Sequence, residues 1–317
     1  MSDPAPRRLL SATTLARLER QRLRAVGGAR RARREGESRS AGRGGFAEFV
    51  DHRAYEPGDD LRRIDWALDA RLDRLFVKEF AREVEPEEWI VADASASMAV
   101  PPGKALAARR LVFALAFVAL RSARTVRLVA AGRAAAMDAG RPLSSSASIA
   151  AAERRAADFE FDPERPAGAA AGDLAGDLRR LRERLRGPAG VTVVSDLLFD
   201  GEPLVRELVA LRSAGHDVAV LHLLAREDVV LEPIGRARFR AAEGGGPPLD
   251  LDAGAAASER FAGIAFSFVE GWRRVCRAHG LRHVLLRPDA TEEEFLVNGL
   301  RRVLFVPGGA HAPGARA

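Results

Sequence analysis

The sequence predicts an α/β protein with a doubly wound, mainly parallel β-sheet and a charged extension at its amino end. Two observations lead to this prediction. From residue 88 onward, short apolar runs alternate with longer helical patterns, which is typical of a parallel sheet covered by helices on both faces. Two of the apolar runs lead directly into an acidic residue, Asp93 and Asp196. Because binding sites in such sheets form at the carboxyl ends of strands, these acids are the first candidates for a functional site.

Each strand is predicted from a short apolar run, and each helix from apolar residues spaced three to four apart. The helix after Asp93 is apolar on most sides, so we expect it to lie in the core. Gly215 and Gly280 end two of the later helices. The predicted strands are 89–93, 125–131, 190–195, 217–224 and 283–286, the predicted helices are 104–122, 174–185, 204–214, 255–279 and 292–304, and a hairpin is predicted over 236–252.

Length and composition limit the class of protein. The 317 residues can form one large domain or two small ones, and 47% hydrophobic with 30% charged residues excludes wholesale disorder. The longest uncharged apolar run, 111–120, is about half of the roughly 20 residues that a membrane-spanning helix needs. The first residues do not resemble a secretory signal. The single cysteine, Cys276, excludes an intrachain disulfide and a thiolate-rich metal site. We therefore expect a soluble, cytoplasmic protein.

The basic excess of the chain lies at its amino end. Residues 1–45 contain 12 Arg and four acidic residues, whereas the rest of the chain is close to neutral. We expect 1–45 to form a basic, partly flexible arm that contains a short amphipathic helix over 8–26. Such an arm also permits binding to nucleic acid or to an anionic surface, which is the alternative function. Arg supplies nearly all the cations along the whole chain, so the high Arg count of the arm is weak evidence for nucleic-acid binding. A solvated arm is therefore the favoured interpretation.

An Asp-x-Ser-x-Ser sequence follows the first strand of the predicted sheet. Asp93, Ser95 and Ser97 alternate with small residues and can direct three oxygens to one point. Oxygen ligands suit a hard cation such as Mg²⁺, and Asp196 could add a second carboxylate from a neighbouring strand. In the simpler interpretation, Asp93 and the serines only cap the following helix, and spacing alone favours this interpretation.

This pattern resembles the metal-ion-dependent adhesion site of von Willebrand factor A domains. The segment before it resembles the hallmark of the domain of unknown function 58 family, whose members join such a charged segment to a von Willebrand A-like domain. The resemblance rests on residues 55–66 (Tyr-Glu-Pro-Gly-Asp-Asp-Leu-Arg-Arg-Ile-Asp-Trp), Ala70-Arg71 and 76–80 (Phe-Val-Lys-Glu-Phe). The hallmark residues are Tyr55, Gly58, Asp59, Asp60, Arg62, Asp65, Trp66, Arg71 and Lys78.

The hallmark segment also permits a physical interpretation. Asp59 or Asp60 is expected to cap a short helix over 61–66. Asp65 and Arg71, beside Trp66, could form a partly buried ionic network. These charges either brace the segment against the domain or face a partner.

The resemblance implies a von Willebrand A-like (Rossmann-like) domain over 88–305, with the hallmark segment 46–87 packed on it and a disordered tail over 306–317. It implies a Mg²⁺ site formed by Asp93, Ser95, Ser97 and Asp196. It also implies a protein partner, either a MoxR-type AAA+ ATPase or a client of one, and a role in the assembly, maturation or regulation of other proteins.

One position departs from the adhesion-site pattern. Such sites present a Thr from a loop before a helix, and the matching position here is Gly172. Asp173 is a candidate substitute ligand. A degenerate site, in which the domain serves only as a scaffold, is therefore a third interpretation.

The motifs of the common enzyme classes do not occur in the sequence. We find no phosphate-binding loop of the Walker type, no Gly-x-Ser-x-Gly elbow and no His-Glu-x-x-His pattern. His222 lies in a predicted strand and is interpreted as a core residue. A nuclease site built on Asp65, Lys78 and Glu79 would need carboxylates placed around Mg²⁺, and their spacing does not favour it. We therefore expect a binding protein and not an enzyme.

Overall fold

The computed structural model describes residues 8–23, 49–57, 59, 61, 64–72, 74–80, 87–132, 140–162, 174–199, 201–242, 247–301 and 305–307. The chain divides into two compact units. The main unit comprises Met1–Gly28 and Pro86–Ala317, and the hallmark unit comprises Ala29–Glu85.

The elements alternate along the chain as the sequence predicts. The main unit begins with α1 (Ala12–Leu18) and β1 (Gln21–Leu23), and the hallmark unit contains β2 (Phe49–Ala54), α2 (Trp66–Leu72) and β3 (Phe76–Phe80). The main unit continues with β4 (Glu87–Asp93), α3 (Pro102–Arg121), β5 (Thr125–Ala131), α4 (Ile149–Ala157), α5 (Leu174–Arg184), β6 (Ala189–Ser195), α6 (Gly201–Ser213) and β7 (Asp217–Leu223). It ends with β8 (Gly235–Phe239), β9 (Leu249–Ala253), α7 (Ala255–Ala278), β10 (Arg282–Leu286) and β11 (Phe305–Pro307).

A five-stranded sheet of parallel strands forms the centre of the main unit. The strand order is β10-β7-β6-β4-β5, and every neighbouring pair is parallel. The chain moves from β4 outward to β5 and then returns to the other side of β4 with β6. The order therefore reverses between β4 and β6. Ligands of open α/β sheets bind at such a switch point, outside the carboxyl ends of the strands.

The central strands are apolar because helices cover both faces of the sheet. All residues of β6 and all but the first residue of β4 are buried. One face of the sheet packs on α3, whose Leu111 and Phe113 are almost fully buried. The other face packs on α5, α6 and α7, with Leu178, Leu208 and Trp272 in its core. Burial on nearly all sides of α3 confirms the prediction that this helix lies in the core.

The amino end of the described chain belongs to the core of the main unit. Leu9, Leu10 and Leu18 are buried with α3. Ser11 caps α1, because its Oγ accepts the backbone N–H of Thr14 at 3.1 Å. The predicted helix over 8–26 is thus too long, since the chain turns into β1 after Leu18. β1 pairs in an antiparallel manner with β11, which places residues 306–307 of the predicted tail in a strand.

In the hallmark unit, β2 pairs in an antiparallel manner with β3, and α2 lies between them in sequence. Within the stretch 61–66 that is predicted to be helical, Leu61 lies in a 3-10 turn and accepts the N–H of Ile64 at 3.3 Å, whereas α2 begins at Trp66 with Asp65 as its cap. The Oδ1 atom of Asp65 accepts the N–H groups of Ala67 and Leu68 at 3.1 and 3.3 Å. Oδ2 of Asp59 accepts the N–H of Glu56 at 2.9 Å, within its own turn.

The remaining predicted elements are confirmed, with two differences. The sequence did not predict α4. The predicted final helix begins as a π-helical turn, Glu293–Asn298, and continues as the α-helical turn Gly299–Arg301. Gly299 permits a close approach to β10, because a Cβ there would lie 2.6 Å from Cδ2 of Leu286. Among the helices of the described ranges, none combines the length and the apolar character that a bilayer span requires.

Candidate functional site

Asp93 ends the central strand β4 at the switch point of the sheet. Its side chain is buried, and both carboxylate oxygens accept hydrogen bonds. Oδ1 accepts the backbone N–H of Ser95 at 2.9 Å, and Oδ2 accepts the hydroxyl of Ser195 at 2.6 Å. Ser195 is the last residue of β6, so this second bond joins the carboxyl ends of the two strands between which the order reverses.

The two serines of the motif lie directly after Asp93. Their Oγ atoms are 3.2 Å apart, with Ser97 buried and Ser95 half-buried. Ser95 precedes a 3-10 turn, Ala96–Ala99, and its side chain makes no capping hydrogen bond to that turn. Pro101 occupies the N-cap position of α3, and no side chain makes a capping hydrogen bond there. The simpler interpretation, in which Asp93 and the serines only cap the following helix, therefore receives no support from the start of α3.

Asp196 is the second predicted acid of the site and is fully buried. Its Oδ1 accepts the N–H of Leu198 at 3.1 Å, and its Oδ2 accepts the ammonium group of Lys104 at 2.8 Å. The same ammonium nitrogen lies 2.8 Å from Oδ2 of Asp228. Nε2 of His222 lies 3.0 Å from the carbonyl oxygen of Asp196. His222 is buried, in agreement with its interpretation as a core residue.

Lys104 and Asp228 belong to this edge of the sheet, although sequence reasoning did not select them. Asp228 lies in a turn after β7 and accepts the N–H of Ala225 at 2.8 Å. Its approach to Lys104 depends on the tertiary fold and leaves no local pattern. The residue type of Lys104 is the one feature of the sequence that could have drawn attention to it. Only two of the 50 cationic residues are Lys, and the rest are Arg.

Burial and like charge dominate the electrostatics of the site. Burial raises the pKa of Asp93 to about 6, the charge of Asp196 adds to this effect, and the hydrogen bond from Ser195 opposes it. Burial also raises the pKa of Asp228, against the influence of Lys104. The three carboxylates and the one ammonium group leave a formal charge of −2, which a divalent cation would balance.

The residues of this edge fit Mg²⁺. Carboxylate and hydroxyl oxygens are the donors that this ion prefers, and it binds few protein ligands because it keeps part of its water shell. Within the described ranges no three His, Cys, Asp or Glu side chains form a metal cluster, so a site here depends on the serine hydroxyls. Gly172 and Asp173, the predicted departure and the candidate substitute ligand, lie outside the described residues.

The hallmark residues lie in the other unit. Oδ2 of Asp65 is 2.8 Å from Nε2 of His52, whereas Arg71 is exposed on α2. The predicted ionic network around Asp65 and Arg71 stays a prediction, since Asp60, Arg62 and Asp73 of the same charged segment lie outside the described residues. Trp66 is 64% exposed, and the backbone N–H of Tyr55 donates to Leu75. Gly58, Asp60, Arg62 and the side chain of Lys78 lie outside the described residues.

Known proteins share parts of this sequence and fold. The chain is 34% identical over 207 residues to the uncharacterized protein Rv1480 of Mycobacterium tuberculosis (strain ATCC 25618 / H37Rv) and to the uncharacterized protein Mb1516 of Mycobacterium bovis. Each match covers 63% of this chain and 62% of the relative, so the chain spans less than two thirds of these curated relatives.

Similar solved structures include the conserved hypothetical protein BatB from Bacteroides thetaiotaomicron, with 15% identity, a TM-score of 0.41, and coverage of 68% of this chain and 98% of that one. They also include the SpRpn10 VWA domain, with 12% identity, a TM-score of 0.34, and coverage of 72% and 100%.

The sequence model of one family, described as "Protein of unknown function DUF58", matches residues 51–262, about two thirds of the chain. The match includes most of the hallmark segment, the Asp-x-Ser-x-Ser sequence and Asp196. The main unit carries that motif at the end of the central strand of a doubly wound parallel sheet. The chain therefore belongs to the DUF58 family.

Proposed function

We propose that this chain is a non-enzymatic protein-interaction module that binds its partner at the carboxyl edge of the parallel sheet. The observation that carries the proposal is the convergence of Asp93, Ser95, Ser97 and Ser195 at the switch point. Oγ of Ser195 lies 2.6 Å from Oδ2 of Asp93, and the Oγ atoms of Ser95 and Ser97 are 3.2 Å apart. This edge is where open α/β sheets bind their ligands.

The proposal assigns the metal to four residues. Asp93, Ser95 and Ser97 would hold Mg²⁺, and Asp196 would act on it through a water molecule, because the carboxylate of Asp196 already pairs with Lys104. Asp173 is a candidate for a further ligand. When bound, Mg²⁺ supplies an open coordination position that accepts a carboxylate of the partner.

Two exposed apolar residues adjoin the site and support a protein partner. Val100 is 45% exposed, and its N–H donates to the carbonyl of Ser97. Leu198 is 39% exposed, and its N–H donates to the side chain of Asp196. Apolar residues at the rim of a polar centre are common at recognition surfaces. The edge therefore offers a charged centre with apolar contacts on both flanking loops.

The proposed partner is a MoxR-type AAA+ ATPase or a client of one, in the assembly, maturation or regulation of other proteins. Family resemblance supports this assignment, and we place the interaction in the cytoplasm. The charge balance of the main body favours a protein over a nucleic acid. The hallmark unit offers a second surface, with Trp66 exposed on α2.

Binding to a purified MoxR-type AAA+ ATPase from the same organism tests the proposal. Mg²⁺ stays in the buffer because the ATPase requires it with nucleotide, so variants and not chelation carry the test. We expect Asp93→Ala and Leu198→Glu to weaken binding at least about tenfold, which corresponds to the loss of about 1.4 kcal/mol. The matched control is Leu249→Glu, at a 56% exposed residue of the β8–β9 hairpin. Unchanged affinity in both edge variants would contradict the proposal.

A further inference from the structure

Lys104 is fully buried near the amino end of α3. It is the third residue of that helix, where the helix dipole disfavours a positive charge. A buried ammonium group is also expensive unless carboxylates compensate for the lost water. Its Nζ atom lies 2.8 Å from the nearest carboxylate oxygen of both Asp196 and Asp228. Lys104 is thus held in an unfavourable place by two specific ion pairs.

These ion pairs join three loops at the carboxyl edge of the sheet. Lys104 follows β4 at the start of α3, Asp196 follows β6, and Asp228 follows β7. The bond from Ser195 to Asp93 joins the ends of β4 and β6 a second time. The side chains of this edge are therefore connected to each other by protein groups alone.

We infer that the ammonium group of Lys104 holds the loops after β6 and β7 in place. The site therefore keeps its shape without Mg²⁺. This inference deepens the proposed function, because it assigns the metal to partner binding and not to folding. It also makes Lys104 a positioning residue for Asp196, the acid that faces the metal through water in the proposed function.

Urea unfolding in EDTA tests this inference on the full chain. We expect wild type to stay folded in EDTA and Lys104→Met to lose about 1 to 2 M in its urea midpoint, because it strands two buried carboxylates. The matched control is Arg206→Met, which removes one cation from an exposed pair with Glu202 and should leave the midpoint unchanged.

A triple variant separates charge pairing from packing. Lys104→Met combined with Asp196→Asn and Asp228→Asn has no stranded charge, so its midpoint should recover toward wild type. If Lys104→Met alone does not fold, folding of the triple variant still shows that the stranded charges cause the loss of stability. A triple variant no more stable than Lys104→Met would overturn the inference. Equal urea midpoints of Lys104→Met and Arg206→Met would also overturn it. So would unfolding of wild type by EDTA. Because no metal is present, the outcome does not depend on whether wild type binds Mg²⁺.

Discussion

The hydroxyl of Ser195 donates to the carboxylate of Asp93, with Oγ and Oδ2 2.6 Å apart. The same Oγ accepts the N–H of Leu197 at 2.9 Å. Ser195 therefore links the two central strands and also orients the loop that carries Asp196. The bond fixes the carboxylate of Asp93 at the switch point, which is where the proposed site needs it.

Replacing Ser195 by Ala should destabilise the protein by about 1 to 3 kcal/mol, because it leaves buried polar groups without their partner. The measurement is the free energy of unfolding by urea, with Ser146→Ala, at an exposed serine, as the matched control. Equal stability of the two variants would show that the bond does not hold the edge together.

The site was predictable in part. Asp93, Ser95, Ser97 and Asp196 follow apolar runs of strand length, and the parallel sheet brings the ends of such runs to one edge. Lys104 and Asp228 were not predictable, because their ion pairs depend on how a helix and a turn after two different strands approach each other. The register of the sheet, which sequence patterns do not specify, determines that approach.

Trp66 should contribute to binding and not to stability. It is 64% exposed, whereas Trp272 is 6% exposed in the core. We expect Trp66→Ala to change the free energy of unfolding by less than about 0.5 kcal/mol, and Trp272→Ala to lower it by about 3 to 5 kcal/mol. If the hallmark unit faces the partner, Trp66→Ala also weakens ATPase binding about tenfold or more. Wild-type affinity in that variant would favour a hallmark unit that only braces the fold.

Gly201 should be intolerant of a side chain. A Cβ at this first residue of α6 would lie 2.7 Å from the ring of Trp272, so Gly201→Ala should cost about 1 to 3 kcal/mol through overpacking. Gly263→Ala is the control, because its Cβ would meet nothing within 4 Å and the exposed helix should gain about 1 kcal/mol. Thermal melts of the two variants measure the difference, and a Gly201→Ala melting temperature at or above that of Gly263→Ala would contradict the packing.

The stability should depend on the protonation of His222, which is buried, and of His283, which is half-buried, with ring nitrogens 3.2 Å apart. Burial, with a further contribution from His283, lowers the pKa of His222 to about 3. Burial and Arg273 lower the pKa of His283 to about 4, against the influence of Glu270. Below pH 6.5 these two histidines therefore bind protons in the unfolded chain but not in the folded protein, and their contribution to stability falls as the pH falls.

The expected slope is about 1.4 kcal/mol per pH unit for each histidine between pH 6 and 4.5. Glu88, Asp93 and Asp228, whose pKa values are raised by burial, act in the opposite sense, so the test compares slopes between variants. His283→Gln should reduce the slope by about one histidine's share, and His279→Gln, at an exposed position, is the matched control. Identical slopes in the two variants would rule out His283 as a source of the dependence.

The alternating order of strands and helices in the main unit was predictable, because each element carries its own period and its own terminating residues. The role of residues 8–23 was not, since Leu9 and Leu10 precede α1 and pack through tertiary contacts alone. This finding changes the test of the alternative function. Deletion of 1–45 would remove core residues, so salt-dependent binding to nucleic acid should be tested with a deletion of 24–45 instead.

Calorimetric titration of wild type and Asp93→Ala with Mg²⁺ tests the proposed metal site most directly. We expect saturable binding of one Mg²⁺ per chain in wild type and no binding in Asp93→Ala. Asp69→Ala, which removes an acid from α2 in the other unit, is the control and should bind as wild type does. No binding to wild type at millimolar Mg²⁺, or equal binding by Asp93→Ala, would contradict a metal site at the switch point.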